Sequence, residues 1–558
     1  MIRIEEKRTV HIPGQSSLFI SFDYNAAVVE AVKACQPFHY NKKTHVWEVP
    51  TTHLAKLINT TYKHDEIELK LLKDKKPKEP VVIDTSKYKT TPYDYQKEGI
   101  EFGLTHDKWL LLDAPGLGKT LQLIYLAQEL KQREGVKHCL IICGINTLKT
   151  NWEKEIKKHS NLSCTILGKK VNKKGKVDYG GVSDRLKQLK QPIKEFFVIT
   201  NIETLRDDNI IKELKTGKNK FDMIVVDEIH TCKSNQSQQG KNLLKLKDAK
   251  YKIGLTGTLL LNNPLDAYMP LKWIGEENSS LTNFRYQYCS YGGVFGNDFI
   301  GYKNIDTLKT QIASCSLRRT KDLLDLPEKT HIEEYLDMSP KQAKFYEDIK
   351  NGIVDEVDKV VIKTANLLAM VARLRQATAC PSILTSEDIP SVKMDRCCEL
   401  IEELTSNGEK VVVFSTFKKT LDDLLPRLSQ YNPLLCHGDV SDDVISRRID
   451  TFQNTPDNKV MLCTHQKMGT GITLTAANYA IFLDTPWTSG AMEQAEDRIH
   501  RIGSKKPVFI YTLICNNSFD VRVQELIQQK GVISDYVIDD QIDSRTLDLL
   551  KQWILELK

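Results

Sequence analysis

WLLLDAPGLGKTLQLIYLAQELKQRE (109–134) is the stretch on which the fold turns. An apolar run ends at an acid, the glycine-bearing loop DAPGLGKT (113–120) follows, and an amphipathic helical pattern begins at once. Glycines let backbone N–H groups converge, and a loop that opens onto the positive end of a helix is how a chain cradles a phosphate. Gly116 and Gly118 are the loop glycines. Lys119 adds a point charge for the β- and γ-phosphates, and the Thr120 hydroxyl is placed to ligate Mg²⁺. The strict pattern GxxxxGK[ST] fails at its first position, where Asp113 stands for glycine.

Working outward, VVDEIH (225–230) is an apolar strand ending in two acids. In that setting Asp227 would hold Mg²⁺, directly or through water, and Glu228 would orient and deprotonate an attacking water. Around these blocks, apolar strands alternate with amphipathic helical stretches. WLLLDAP (109–115), CLIIC (139–143), FFVIT (196–200), DMIVVD (222–227) and YKIGLTGT (251–258) make one set. VVVFST (411–416), VMLCT (460–464), YAIFLD (479–484) and VFIYTLI (508–514) make a second. Such alternation implies α/β architecture, with parallel sheets covered by helices.

Further blocks carry a resemblance. GLTGTLLLNN (254–263) resembles motif III of Swi/Snf-type proteins, where LTGTPLQN is usual; Leu259 and Leu261 replace the Pro and Gln. LRRTKDLLDLPEKT (317–330) resembles the segment between the two lobes of that family. HGDVSDDVISRRIDTFQ (437–453), KMGTGITLTAANYAIFLDTPW (467–487) and QAEDRIHRIG (494–503) resemble its second-lobe motifs. TPYDYQKEGIEF (91–102) looks like the adenine-reading Q motif, and ICGINTLKTNWEKEI (142–156) like motif Ia, with Gly144 where the family has Pro.

The resemblance covers about 91–520 and implies two RecA-like lobes, ATP and Mg²⁺ as cofactors, and double-stranded DNA as the track of a DNA-dependent ATPase. On that basis Gln96 would contact the adenine, and Gly469 and Gln494 would line the nucleotide cleft. Arg498 and Arg501 would be arginine fingers completing the ATP site across it. Thr147, Asn201, Thr470 and Trp487 would meet DNA, mainly its phosphates, which carry no sequence information. Strand-end capping is the other reading of Thr147 and Asn201, and His500 is read as structural.

The implied layout is a lobe over 91–325, a helical insertion or linker over 326–405, a second lobe over 406–530 and a C-terminal helix or brace over 531–558. Residues 1–62 read as a small α+β domain: a strand at 17–22, a helix capped by Asp23, and a hairpin around NKKT (41–44). Its order resembles the HARP module of annealing-helicase relatives. Phe38, Tyr40 and Trp47 would either stack on unpaired bases, at forks or single-strand junctions, or form a small core. KHDEIELKLLKDKKPKEP (63–80) reads as a charged linker or exposed helix.

Composition narrows the class. The 558 residues exceed what one core can serve, and 41% hydrophobic with 27% charged residues is ordinary globular content. No run approaches 18 apolar residues, and MIRIEEKRTV lacks the apolar centre of a secretion signal, so an intracellular protein without membrane spans is expected. The 13 cysteines include no paired CxxC, so reduced, mostly buried thiols are expected rather than a structural zinc. A net charge of +6 permits a nucleic-acid partner without requiring one. Three rivals stay open: a strand-separating DNA or RNA helicase, a DNA-binding scaffold with a dead ATPase, and the motor subunit of a restriction or defence complex.

Overall fold

The computed structural model describes residues 1–8, 12, 16–53, 57, 60–61, 67–70, 81–144, 146–171, 177–232, 237–257, 264–292, 298–324, 326–359, 364–468, 472–486, 489–528 and 552–553. The chain forms two compact units. The first spans Met1–Thr320 apart from the short runs Pro115–Leu117 and Asn146–Asn151; the second is Lys321–Lys558 with those two runs.

In the first unit, seven strands form one parallel sheet in the order Ser316–Leu317, Lys108–Leu111, Tyr251–Leu255, Met223–Asp227, Cys139–Cys143, Phe197–Asn201 and Cys164–Ile166. Parallel neighbours need crossovers, and the crossover helices cover both faces. The inner strands therefore read as unbroken apolar runs, and the strand Met223–Asp227 is buried at every position. The glycine loop's strand, Lys108–Leu111, and the strand that ends in Asp227 are separated by Tyr251–Leu255, the RecA-like order.

The second unit repeats the logic with six parallel strands: Lys329–Leu336, Val508–Cys515, Tyr479–Phe482, Val411–Ser415, Val460–Thr464 and Leu434–Cys436. Alternate residues serve two cores. Val412, Phe414, Met461 and Phe482 pack on one face, and Val411, Val413, Leu462 and Ile481 on the other. A third cluster joins the helices Pro340–Lys359, Thr364–Ala379 and Phe519–Gln528 through Tyr346, Leu374 and Phe519. Trp553 packs against it, which fits a C-terminal brace, although most of 531–558 lies outside the described residues.

Two expected boundaries are displaced. Residues 326–405 are not a separate linker, because Lys329–Leu336 pairs along its whole length with Val508–Cys515 as the edge of the second sheet, and Val392–Ser406 packs against that sheet. The run KTHIEEYL is polar because an edge strand is half open to solvent. At the other end, Ile67–Lys70, read as part of a charged connector, is a strand parallel to Ile2–Arg8. It completes a five-stranded sheet in the order His39–Asn41, Val46–Pro50, Ser16–Ser21, Ile2–Arg8 and Ile67–Lys70. The first helix, Ala26–Lys33, is capped by Asn25 and not Asp23; the Asn25 carbonyl accepts from the amides of Ala27 and Val28.

All 13 cysteines are free thiols, buried except for Cys164 and Cys398. No helix among the described residues is long and apolar enough to cross a membrane.

The aromatic hairpin forms a core. Trp47 is buried, with ring centroids 5.5 Å from Phe38 and 4.4 Å from Tyr40, and it packs with Ile4, Leu18, Ile20 and Val32. We expect Trp47→Ala to destabilise this sheet by about 3–5 kcal/mol. In urea titrations followed by limited proteolysis, residues 1–70 should become cleavable well before the two larger sheets. Equal protection in variant and wild type would mean that the indole contributes little to this core.

Candidate nucleotide site of the first unit

At the end of Lys108–Leu111 the chain turns through Gly116 (φ +90°) and Gly118 (φ +75°) into the helix Lys119–Glu134. Both glycines lie in the left-handed region that L side chains rarely adopt. Gly118 also has to be small, since a Cβ there would lie 2.4 Å from Nε2 of Gln96. Gln96 is buried on the helix Asp94–Thr105; its carbonyl accepts from the amide of Tyr93 (3.0 Å) and its amide donates to the Tyr95 hydroxyl (3.3 Å). Lys119 Nζ donates to the carbonyl of Asp113 (2.8 Å), so the ammonium is folded over the loop that would surround a phosphate. Thr120 is the second residue of that helix.

Asp113, which breaks the consensus, is fully buried. Its carboxylate accepts from Arg319 Nε (3.0 Å) and Nη2 (2.7 Å) and from Gln122 Nε2 (3.0 Å). The departure from glycine is therefore an ion-pair anchor at the entrance to the loop.

Strands in a sheet lie about 4.8 Å apart, so Asp227 ends two strands, or about 10 Å, from the glycine loop. That leaves room for a triphosphate between them. The Asp227 carboxylate accepts from Trp152 Nε1 (2.9 Å) and from the amide of Glu228 (3.0 Å). Burial, then the neighbouring Glu228, push its pKa up to about 6, while the Trp152 hydrogen bond and Lys119 oppose the rise. Glu228 itself sits at φ +51°, a conformation that costs a non-glycine residue about 1–2 kcal/mol. His230 Nδ1 lies 3.3 Å from Glu228 Oε2 and 2.9 Å from Thr256 Oγ1. Thr256 follows the intervening strand, so that strand's end is tied to the DEIH segment.

These residues fit a nucleoside triphosphate with Mg²⁺. Gly118 admits no Cβ beside Gln96, the Thr120 hydroxyl and the Asp227 carboxylate are oxygen donors that suit a hard cation, and the Lys119 ammonium suits phosphate oxygens. Arg319, Gln122, Trp152, His230 and Thr256 were not singled out from the sequence. Each lies inside a quoted motif or beside one, but its pairing joins segments distant along the chain.

The DNA contacts expected from the sequence fare unevenly. Asn201 is only 6% exposed; its amide donates to Glu203 (2.5 Å) and its carbonyl accepts from Thr204 (2.8 Å). These bonds form a side-chain network closing the end of Phe197–Asn201. Thr147 is the second residue of the helix Asn146–His159. Thr470, Trp487 and Gly469 lie outside the described residues.

In the second unit, Gln494 is half-buried on the helix Ser489–Glu496, and Arg498 is buried just beyond it. Arg501 Nη1 donates to the Ile472 carbonyl (3.2 Å), and its amide donates to Ser504 Oγ (3.1 Å). His500 Nε2 meets the Pro327 carbonyl (2.8 Å). Burial, chiefly, keeps its pKa below the ordinary histidine value.

Comparison with known proteins gives two family matches: the SNF2-related domain over residues 95–383, more than half the chain, and the helicase conserved C-terminal domain over 392–503. An uncharacterised ATP-dependent helicase of Mycoplasma pneumoniae is 26% identical over 81% of this chain and 42% of its own length. The DNA annealing helicase and endonuclease ZRANB3 of Bos taurus is 27% identical over 79% of this chain and 40% of its own. The chain thus spans about two fifths of these relatives. The Sulfolobus solfataricus SWI2/SNF2 ATPase core in complex with dsDNA is 26% identical over 86% of this chain and 97% of that one, with a TM-score of 0.38.

The raised pKa of Asp227 has a stability consequence. A carboxyl whose pKa is higher in the folded than in the unfolded chain opposes folding once it must ionise. The penalty is absent below the ordinary value of 3.8, grows between there and about 6, and is complete above. Without nucleotide or divalent cation, Asp227→Asn should therefore raise the unfolding free energy at pH 7.5 by on the order of 1–3 kcal/mol. The gain should shrink by pH 5, as read from urea denaturation at both pH values. A gain independent of pH would exclude ionisation as its origin.

Proposed function

The chain belongs to the SNF2-related family, and from that membership we propose that it is an ATP-hydrolysing motor that translocates on double-stranded DNA and remodels DNA or protein–DNA complexes. The observation that carries the reading is that Gly118 and Lys119 follow one strand, and Asp227 and Glu228 another, at the same edge of a single parallel sheet. In this reading Lys119 exchanges the Asp113 carbonyl for phosphate oxygens. Thr120 and Asp227 are the residues that would hold Mg²⁺, which supplies charge neutralisation to the triphosphate when bound. Trp152 orients the Asp227 carboxylate. Glu228 accepts the proton of the attacking water, and His230 steadies its carboxylate from the side of Thr256.

Gln96 selects the base, and Gly469 and Gln494 complete the nucleotide's surroundings. Arg498 and Arg501 act on the charge that develops during phosphoryl transfer. These assignments, like forked DNA as a preferred ligand, rest on the family resemblance. The naming of ZRANB3 as a DNA annealing helicase agrees with DNA as the track.

Phosphate-release assays with and without duplex DNA test this directly. Lys119→Ala should lose nucleotide binding and activity together. Glu228→Gln should keep ATP affinity within a few-fold while turnover falls about 10²–10⁴-fold, since only proton transfer is removed. Near-normal turnover in Glu228→Gln would remove the general-base assignment.

DNA binding should follow phosphate electrostatics. Affinities for duplexes of unrelated sequence should agree within a few-fold. Each should fall by about 10³–10⁵ between 50 and 200 mM salt if six to ten phosphates are contacted. A strong preference for one sequence at fixed salt would contradict a motor that has to pass every base pair.

A further inference from the structure

We propose that Arg319 is a positioning residue for nucleotide binding: its guanidinium locks the loop entrance, the Gln96 helix and the helix that follows the loop into one rigid frame. The inference deepens the ATP-site reading above and rests on it.

The backbone leads Arg319 to its place. The carbonyls of Cys315, Leu317 and Arg319 accept from the amides of Leu110, Leu112 and Ala114 at 2.9, 2.8 and 2.9 Å. The segment therefore keeps pace with the Lys108–Leu111 strand beyond its end and into the glycine loop. From there the side chain, 8% exposed, makes contacts to three segments. Nε and Nη2 form a fork on the two oxygens of Asp113, at 3.0 and 2.7 Å. Nη2 also donates to Gln122 Oε1 (2.8 Å), on the helix that starts at Lys119. Nη1 donates to the carbonyl of Tyr95, and the guanidinium carbon lies 5.2 Å from that ring's centroid. Tyr95 immediately precedes Gln96.

Packing is built around this junction. A Cβ on Gly99 would lie 1.9 Å from Gln122 Oε1 and 2.9 Å from Arg319 Nη2, so glycine lets the Asp94–Thr105 helix approach. A consensus glycine at 113 would leave the guanidinium without its buried counter-charge, which is costly. Lysine in place of Arg319 keeps the charge but not the planar fork.

A junction of this kind acts on the geometry of the cradle and not on the water or its base, so its loss should appear in nucleotide affinity more than in turnover. The test uses the full chain with Mg²⁺ and a fluorescent (mant) ADP, alongside steady-state ATPase kinetics. Arg319→Met should raise the mant-ADP Kd and the KM for ATP at least tenfold while kcat at saturation falls less than threefold. Arg319→Lys should recover part of the affinity, and Gly99→Ala, which displaces Gln122 and crowds the guanidinium without removing a charge, should weaken binding in the same sense. A folded Arg319→Met protein with Kd within twofold of wild type overturns the proposal. If that variant does not fold, Arg319→Lys decides, and wild-type affinity in it overturns the proposal equally. Wild-type protein that binds no mant-ADP would instead remove the underlying ATP-site reading, and this inference with it.

Discussion

An all-parallel sheet puts the carboxyl ends of its strands along one edge, and the chemistry of the first unit depends on that constraint. The glycine loop, Thr256 and the Asp227–Glu228 pair leave from three adjacent strands in the order Lys108–Leu111, Tyr251–Leu255 and Met223–Asp227. No loop has to reach across the molecule to assemble the site. The middle strand contributes spacing, and through Thr256 it contributes a contact to His230. The same rule covers both faces of the sheet with helices, which leaves water access mainly at the strand ends.

Three buried carboxylates among the described residues sit in hydrogen-bonded networks. Asp113 is shared by Arg319 and Gln122. In the second unit, Asp484 accepts from Ser415 Oγ (2.5 Å) and the Thr416 amide (2.8 Å), with Arg375 3.6 Å away and itself bonded to the Thr485 carbonyl. Asp520 pairs with Lys393 at 2.6 Å and accepts from Thr378 at 3.0 Å. Such groups add little net stability, since desolvation offsets their attraction, but breaking one strands its partner in a low dielectric. Their common effect is geometric: each pins a loop or a helix to the end of a strand.

The two sheets were legible because strands buried on both faces read as uninterrupted apolar runs, CLIIC and VMLCT being the clearest. What the sequence concealed follows from the same physics. Lys329–Leu336 and Ile67–Lys70 are edge strands, so they carry charges that resemble a linker or an exposed helix. Asn201 has the chemistry of a phosphate contact and of a side-chain cap alike, and its bond from Thr204 is not legible in the sequence. Asp113 departs from the loop pattern in sequence, and its partner Arg319 lies far along the chain. Trp152 lies within the motif Ia-like segment, and nothing local in the sequence points its N–H at Asp227.

The partnership of Asp113 with Arg319 joins residues 206 positions apart. On a ribosome elongating at about 5–20 residues per second, the glycine loop is therefore made roughly 10–40 s before the arginine that completes its entrance. Until then the edge strand Ser316–Leu317 is missing and a carboxylate destined for burial has no counter-charge. Ordered nucleotide sites on nascent chains would accordingly mark chains that have been synthesised past the whole first unit, which makes the loop a late-closing element of folding despite its early place in the sequence.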